Sequence, residues 1–398
     1  MAHTNPLPIE LTDRIPQEIF DHVATFADAV SLKSLSLVSH LWEASTRHLL
    51  FYEFQFNGRF LSCFSENPKG WQRILPCIQR AHIAVYCGIP GEAALKEALS
   101  AALPRMVKLS RLRFRRSSSG TVALLIALLK GSEQITGLEL RELLDSFDSF
   151  QVLQETIASL PGLEDLLVQG IWWRKDRGHK QGSVQAMVTV PRKIRRFTAE
   201  DMVYAEDLDY AGGTSHILQW LAQGSDSIRF MSVEEVDGSN VLSKFTRVET
   251  LILGKYSYSP LPGLTLSAFK ALKSLEFGYL VTLDDTGYDI HPSWCPDLLS
   301  SVASTLSYLT FVLAFEEEDD LERMDWMTLN CLLQNSPFYA DLRGIVIGIR
   351  RPRGAHTLVP SRDDCDRMIR RRVPGLRPGT RLTVKFYVGG QSSSFIYD

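Results

Sequence analysis

The sequence has no CxxC pair and only six cysteines, scattered at 63, 77, 87, 295, 331 and 365 along 398 residues. That usage gives neither a disulfide framework nor the close thiol pairs of a structural zinc site, and fits reduced thiols in the cytoplasm or nucleus. Long apolar runs are missing too. The most apolar stretch, Val122 to Leu129, falls far short of the roughly 20 residues that cross a bilayer. Met1 to Glu10 lack the basic start and apolar core of a secretion signal. With a net charge of −3, no global electrostatic attraction draws the chain to nucleic acid or an anionic membrane. No glycine loop of the phosphate-cradling kind occurs, so neither nucleotide chemistry nor a cofactor is expected. These features point to a soluble intracellular chain, and a non-enzyme is expected. The alternative is an enzyme site in the C-terminal region, which a deep pocket of convergent titratable groups would reveal.

What is present is ordinary in bulk, with 45% apolar and 22% charged residues, and informative in pattern. Near the N-terminus, Ile15, Ile19, Val23 and Phe26 recur at helical steps, placing them on one face of a helix that ends near Asp28. Pro16 suits its first turn, where a missing N–H forfeits nothing. Ser31 is positioned to cap a second helix, with Leu32, Leu35 and Val38 on one stripe, Trp42 a turn beyond, and Leu37 and Leu41 on another. A third helix is expected over Glu43 to Leu50, before the aromatic run Phe51 to Phe56. A module of about fifty residues buries little by itself, so one apolar stripe serves its own core and the other is left for a partner.

The run Ile15-Pro16-Gln17-Glu18-Ile19, then Val23, Leu32, Leu35, Val38-Ser39 and Trp42, resembles the F-box, including the ungapped distance from Pro16 to Trp42. His48 to Phe51 resemble the tail of that motif in fungal F-box-like proteins. A similar phrase at Leu7 to Leu11 leads into no sustained pattern. Ile15 stands where Leu is common, and Ala27 where many members carry Leu. The resemblance implies a three-helix fold over residues 12–57 that docks on a Skp-type adaptor and, through it, on a cullin scaffold. Carried over by position, the implied adaptor contacts are Pro16, Ile19, Val23, Leu32, Leu35, Val38 and Trp42.

From residue 58 to 398 a different pattern recurs, a short strand with alternate apolar residues followed by an often helical connection. It reads Leu109-x-x-Leu112-x-Phe114, Ile135-x-x-Leu138-x-Leu140 and Leu163-x-x-Leu166-x-Val168. It continues through Ile194, Ile228, Val248, Leu272 and Leu306 to looser copies at Leu342 and Leu382. Helical connectors are expected over 92–103, 121–130, 150–160, 296–306 and 326–333. No such unit buries its apolar side alone, whereas stacked neighbours share one core. The phrasing resembles leucine-rich repeats but lacks their Asn or Cys after the strand. Its spacing also wanders, from about 20 residues to 36, where regular repeats keep about 20–29. The fold class expected is α+β or α/β, a small helical module followed by an irregular strand–helix solenoid. One or two ordinary α/β domains are the alternative.

In a solenoid, residues alternating with the inward positions face outward. In the early units these include Arg111, Arg113, Arg115, Arg141 and Arg196, with Glu139 and Glu200 among them. In the later ones they include Ile252, Glu276, Tyr308, Thr310, Val346, Lys385 and Tyr387. The arginines are candidates for an acidic or phosphorylated protein target, since the guanidinium matches such groups bidentately. A merely solvated charged face is the competing reading. Cys77, His82 and Cys87 lack the spacing and fourth ligand of a zinc site. His291 and Cys295 lack the third group of a catalytic set. The acidic run Glu316 to Asp320 reads as a loop, and the basic clusters at Arg350–Arg353 and Arg370–Arg372 are weak import or phosphate signals.

Overall fold

Asp28 and Ser39 divide the N-terminal helical pattern into three helices, α1 (Gln17–Ala24), α2 (Ala29–Ser36) and α3 (His40–Leu50). The Asp28 carboxylate accepts from Ser31 N at 2.7 Å and the Ser39 hydroxyl from Trp42 N at 3.4 Å, each satisfying an orphan amide of a first turn. Asp28, not Ser31, is therefore the cap of α2. The helix stops at Ser36, so Trp42 and Leu41 belong to α3, which begins before Glu43.

These features come from a computed structural model that describes residues 15–57, 60, 63–64, 66–84, 92–174, 188–200, 210–234, 239–254, 264–281, 294–314, 321–322, 324–350 and 361–387. The chain forms two compact units, Met1–Asp145 and Ser146–Asp398. The first holds the three helices, then β1 (Glu53–Phe56), α4 (Pro68–Ile74), β2 (Arg80–Ile83), α5 (Glu92–Ala102), β3 (Arg111–Arg115), α6 (Ser119–Ala127) and β4 (Gly137–Arg141). The aromatic run at Phe51–Phe56 is thus the first strand of a sheet. Its four strands are all parallel and pair in chain order. Two apolar columns line their inner side, one of Phe54, Ala81, Leu112 and Leu138, the other of Phe56, Ile83, Phe114 and Leu140. All but Phe54 are buried.

The second unit repeats the scheme. Its elements are α7 (Phe150–Ala158), β5 (Asp165–Gln169), β6 (Trp172–Arg174), β7 (Arg196–Glu200), β8 (Tyr210–Gly212), α8 (Thr214–Leu221), β9 (Phe230–Val233) and β10 (Thr250–Leu253). They continue with β11 (Ser274–Val281), α9 (Trp294–Ser300), β12 (Tyr308–Ala314), α10 (Trp326–Asn335), β13 (Gly344–Arg350), α11 (Arg362–Arg372) and β14 (Arg381–Tyr387). β6 and β8 form a separate antiparallel pair. The other eight strands are parallel and again neighbours in chain order. A doubly wound α/β sheet reverses its strand order at a switch point, and neither unit does so. The architecture is a mixed helix–strand array built on parallel strands.

The repeat survives without a side-chain asparagine ladder because the backbone supplies one where each strand starts. The carbonyl of Gln79 accepts from Ser110 N and Arg111 N, at 2.9 and 3.1 Å. Arg229 O receives Glu249 N and Thr250 N in the same way, Lys273 O receives Ser307 N and Tyr308 N, and Ser307 O receives Arg343 N and Gly344 N. This fixes the register of successive units whatever the length of the connection between them. At the other strand ends, Arg116, Glu142 and Gly170 all take positive φ, so one left-handed corner recurs in three successive units.

Burial of the side opposite the core is uneven. Ile252, Glu276 and Thr310 alternate with core residues, and all three are nonetheless buried. Gly254 marks how closely that region is fitted, because a Cβ there would lie 2.8 Å from Glu234 Cα. Backbone cannot yield as a side chain does, so Gly254→Ala is expected to cost about 1–3 kcal/mol, read as a lowered thermal midpoint.

Candidate functional site

The three helices sort their apolar side chains into two groups. Phe20 and Ala24 from α1 and Leu32 from α2 are buried, and Phe20 meets the Trp42 ring edge-on at 4.8 Å between centroids. Gln17 joins α1 to α3, its amide donating to Leu41 O at 3.4 Å and to the Ser45 hydroxyl. With that core in place, Ile19, Val23, Phe26, Val30, Leu37 and Val38 remain outside it. Their exposure runs from 47% at Val23 to 87% at Leu37. Large apolar side chains so concentrated on one small module make it a candidate interaction surface.

Of the seven positions singled out in the sequence, Pro16, Ile19, Val23 and Val38 are exposed, Leu35 and Trp42 are half-buried, and Leu32 is buried. Leu32 and Trp42 thus help hold the module together. Val30 was missed because it precedes the stripe assigned to α2. Phe20 was missed because only one stripe of α1 was followed, although Phe20 and Ala24 form a second stripe at a step of four.

The outer side of the sheet in the first unit carries Arg111, Arg113, Arg115 and Arg141 together, and register explains why. Arg113 stands between His82 and Glu139 across β2, β3 and β4. It forms a bidentate pair with Glu139, Nε to Oε2 at 2.6 Å and a terminal nitrogen to Oε1 at 3.0 Å. Arg141 reaches the same carboxylate at 3.1 Å. Burial would raise the pKa of Glu139, but the bonds from Arg113 and the charge of Arg141 outweigh it and hold the carboxyl below its usual value. Arg115 and Arg116 share Glu142, at 3.2 and 3.1 Å. The stem of Arg111 lies over Gly137, where a Cβ would come within 2.8 Å of Arg111 Cγ. Arg196 is in the second unit, 3.9 Å from Asp165 and with its guanidinium 4.7 Å from the centre of the Phe230 ring. The glutamates that hold these arginines escape a sequence reading, because Arg113 and Glu139 become neighbours only once two units of unequal length are aligned.

His82 closes this row with Nε2 3.1 Å from Glu53 Oε1. Burial and the nearby Arg113 charge lower its pKa, and Glu53 offsets this only in part. The folded imidazole therefore resists protonation, while the unfolded one takes a proton near its ordinary 6.5. The stability this group contributes is complete above that pH and is lost as pH falls below it toward the folded value. Wild-type stability in urea is expected to fall between about pH 7 and pH 5, and His82→Gln to flatten part of that slope.

Other sequence signals stay apart from both surfaces. Cys295 is buried, and burial pushes its thiol pKa well up, opposite to what a nucleophile needs. His291, Cys87, the run 316–320 and residues 351–353 lie outside the described residues. Arg370 and Arg372 are paired with Asp366 and Glu322. Among the described residues no helix is long and apolar enough to cross a membrane, and no group of three or more His, Cys, Asp or Glu could hold a metal ion.

No family model matches the chain, and no curated protein matches it. Among solved structures, it is similar to the crystal structure of a Rad7 and Elc1 complex in yeast, at 12% identity and a TM-score of 0.39, over 94% of this chain and 93% of that one. It is also similar to an internalin from Listeria monocytogenes, at 13% identity and a TM-score of 0.30, over 80% of this chain and 84% of that one. Likenesses at these scores carry no weight for function.

Proposed function

We propose that this chain is a non-catalytic substrate receptor of a Skp–cullin–F-box ubiquitin ligase, with the helical module as its F-box and a leucine-rich-repeat-like array as its target-binding region. One observation carries the reading: α1–α3 possess their own core yet keep Ile19, Val23, Phe26, Val30, Leu37 and Val38 exposed. A module used only to cap the array would spend its apolar side chains on the array. The F-box-like residue pattern supplies the partner, a Skp-type adaptor and through it a cullin scaffold, in the cytoplasm or nucleus.

On this reading the chain works by proximity. Holding a target beside the transfer machinery raises the effective concentration of its lysines without any chemistry by the receptor. Arg111, Arg113, Arg115, Arg141 and Arg196 are the proposed target contacts. In the first unit Arg113 and Arg141 share Glu139, and Arg115 and Arg116 share Glu142, two guanidinium groups to each carboxylate, which favours an acidic target surface. Co-expression of the full chain with a Skp-type adaptor tests the proposal. Copurification as a stoichiometric complex is the expected result, and an adaptor that never copurifies removes it.

A further inference from the structure

A cleft of about 520 Å³ opens where β11, β12 and β13 start, lined by Lys273, Thr305, Ser307, Tyr308, Asp341 and Arg343. Lys273, Ser307 and Arg343 each stand one residue ahead of a strand, and the backbone ladder locks them in step. Ser307 N donates to Lys273 O at 2.7 Å, and Arg343 N to Ser307 O at 2.8 Å. Neighbouring strands lie about 4.8 Å apart, so Lys273 and Arg343 leave the backbone roughly 10 Å from one another with a hydroxyl residue between them. Tyr308 forms the aromatic wall: its ring packs beside Gly344 and the residue stays 49% exposed.

The two cations differ. Lys273 bonds Glu249 at 2.6 Å, and Glu249 is also 3.8 Å from Arg229. Arg343 is exposed and has no ion-pair partner among the described residues. Along this edge Arg229 and Lys273 meet Glu249, whereas Arg343 lines the cleft together with Asp341. A free anion would meet Asp341 as well as the cations. An extended peptide answers both signs, with a carboxylate toward Arg343 and Lys273 and backbone N–H groups toward Asp341.

We infer that this cleft binds an extended acidic segment of a protein, with Arg343 as the main carboxylate contact and Tyr308 as the apolar wall beside it. That the segment belongs to a ubiquitination target rests on the receptor reading above; the chemistry of the cleft does not.

The test is fluorescence anisotropy with the full chain and a labelled Gly-Ser-Glu-Glu-Ser-Gly peptide, against its Gln-Gln counterpart. The glutamate peptide is expected to bind at least tenfold more tightly than the glutamine one, and less tightly as salt rises. Arg343→Glu and Tyr308→Ala, both changes of exposed side chains, should each weaken binding at least tenfold, while Lys130→Glu on the first unit leaves it unchanged. Equal affinity for the two peptides, an Arg343→Glu variant that binds as wild type does, or displacement by equimolar inorganic phosphate would overturn the assignment. Adaptor copurification of the unaltered chain, set beside its peptide binding, separates the two readings. Peptide binding without adaptor binding leaves the cleft and removes the receptor, and the reverse result does the opposite.

Discussion

Replacing Ile19 and Val38 together with aspartate is expected to abolish copurification with a Skp-type adaptor while leaving the thermal midpoint within a degree or two of wild type. Both side chains are more than half exposed, so neither change opens a cavity or strands a charge in the module's own core. In a complex each would be buried, and burying an aliphatic side chain is worth about 1.5–3 kcal/mol. The pair thus accounts for about 3–6 kcal/mol before any cost of desolvating two carboxylates, or a loss of roughly 10²–10⁴-fold in affinity. Phe20→Ala makes the contrast. Phe20 is buried against Trp42, so that change should lower the thermal midpoint as well as adaptor binding. If the double aspartate variant keeps its adaptor, the exposed face is not the docking surface. If it loses the adaptor only by unfolding, the circular dichroism melt will show it.

The strands of the array were legible because three inward positions per unit leave a strong mark. Leu109, Leu112 and Phe114 are all buried, and so are Leu306, Leu309 and Phe311 nearly two hundred residues later. The first two strands escaped for a local reason. Ala81 is the small member of its column, and the alternating Phe54 and Phe56 were absorbed into an aromatic run that seemed to finish the third helix. The break between α2 and α3 escaped because Leu35, Leu37, Val38 and Leu41 continue a helical period across it. Only the hydroxyl of Ser39, facing the Trp42 amide, shows that the chain restarts there. The connectors over 68–74, 214–221 and 362–372 were also missed. In the last of these, Cys365, Met368 and Ile369 are the buried stripe of an otherwise charged helix capped by Ser361.

Alternation along a strand says which side a residue takes, not whether that side is open. Arg113 and Glu276 have the same parity with respect to their inward neighbours. Arg113 stays partly open in an ion-pair row, whereas Glu276 is buried between Leu275 and Phe277. The candidate surfaces therefore had to come from the folded chain. An open charged row belongs to the first unit, and in the second Tyr308 stays open at the start of its strand.

Phe277→Ala is expected to have the largest effect on stability of any single change considered, about 3–5 kcal/mol. The ring is fully buried in β11, lies parallel to Phe311 of β12 at 5.4 Å between centroids, and meets Trp294 of α9 at 5.8 Å. It thus joins a strand, the next strand and the helix between them. In an array whose units touch only their neighbours, stability is close to a sum of unit and interface contributions. A cavity at Phe277 weakens both interfaces of an interior unit. Phe386 in β14 offers the comparison, because it faces the same way in the last described strand and is only partly buried, under the Arg362 guanidinium at 5.4 Å. Phe386→Ala should cost less than half as much and, under hydrogen exchange, should loosen β14 while sparing β10 to β12. Phe277→Ala should raise exchange in β10 to β12 together. Equal costs and a uniform rise in exchange from either change would mean that the second unit unfolds as a single cooperative block, and that the stacked repeats do not divide its stability among them.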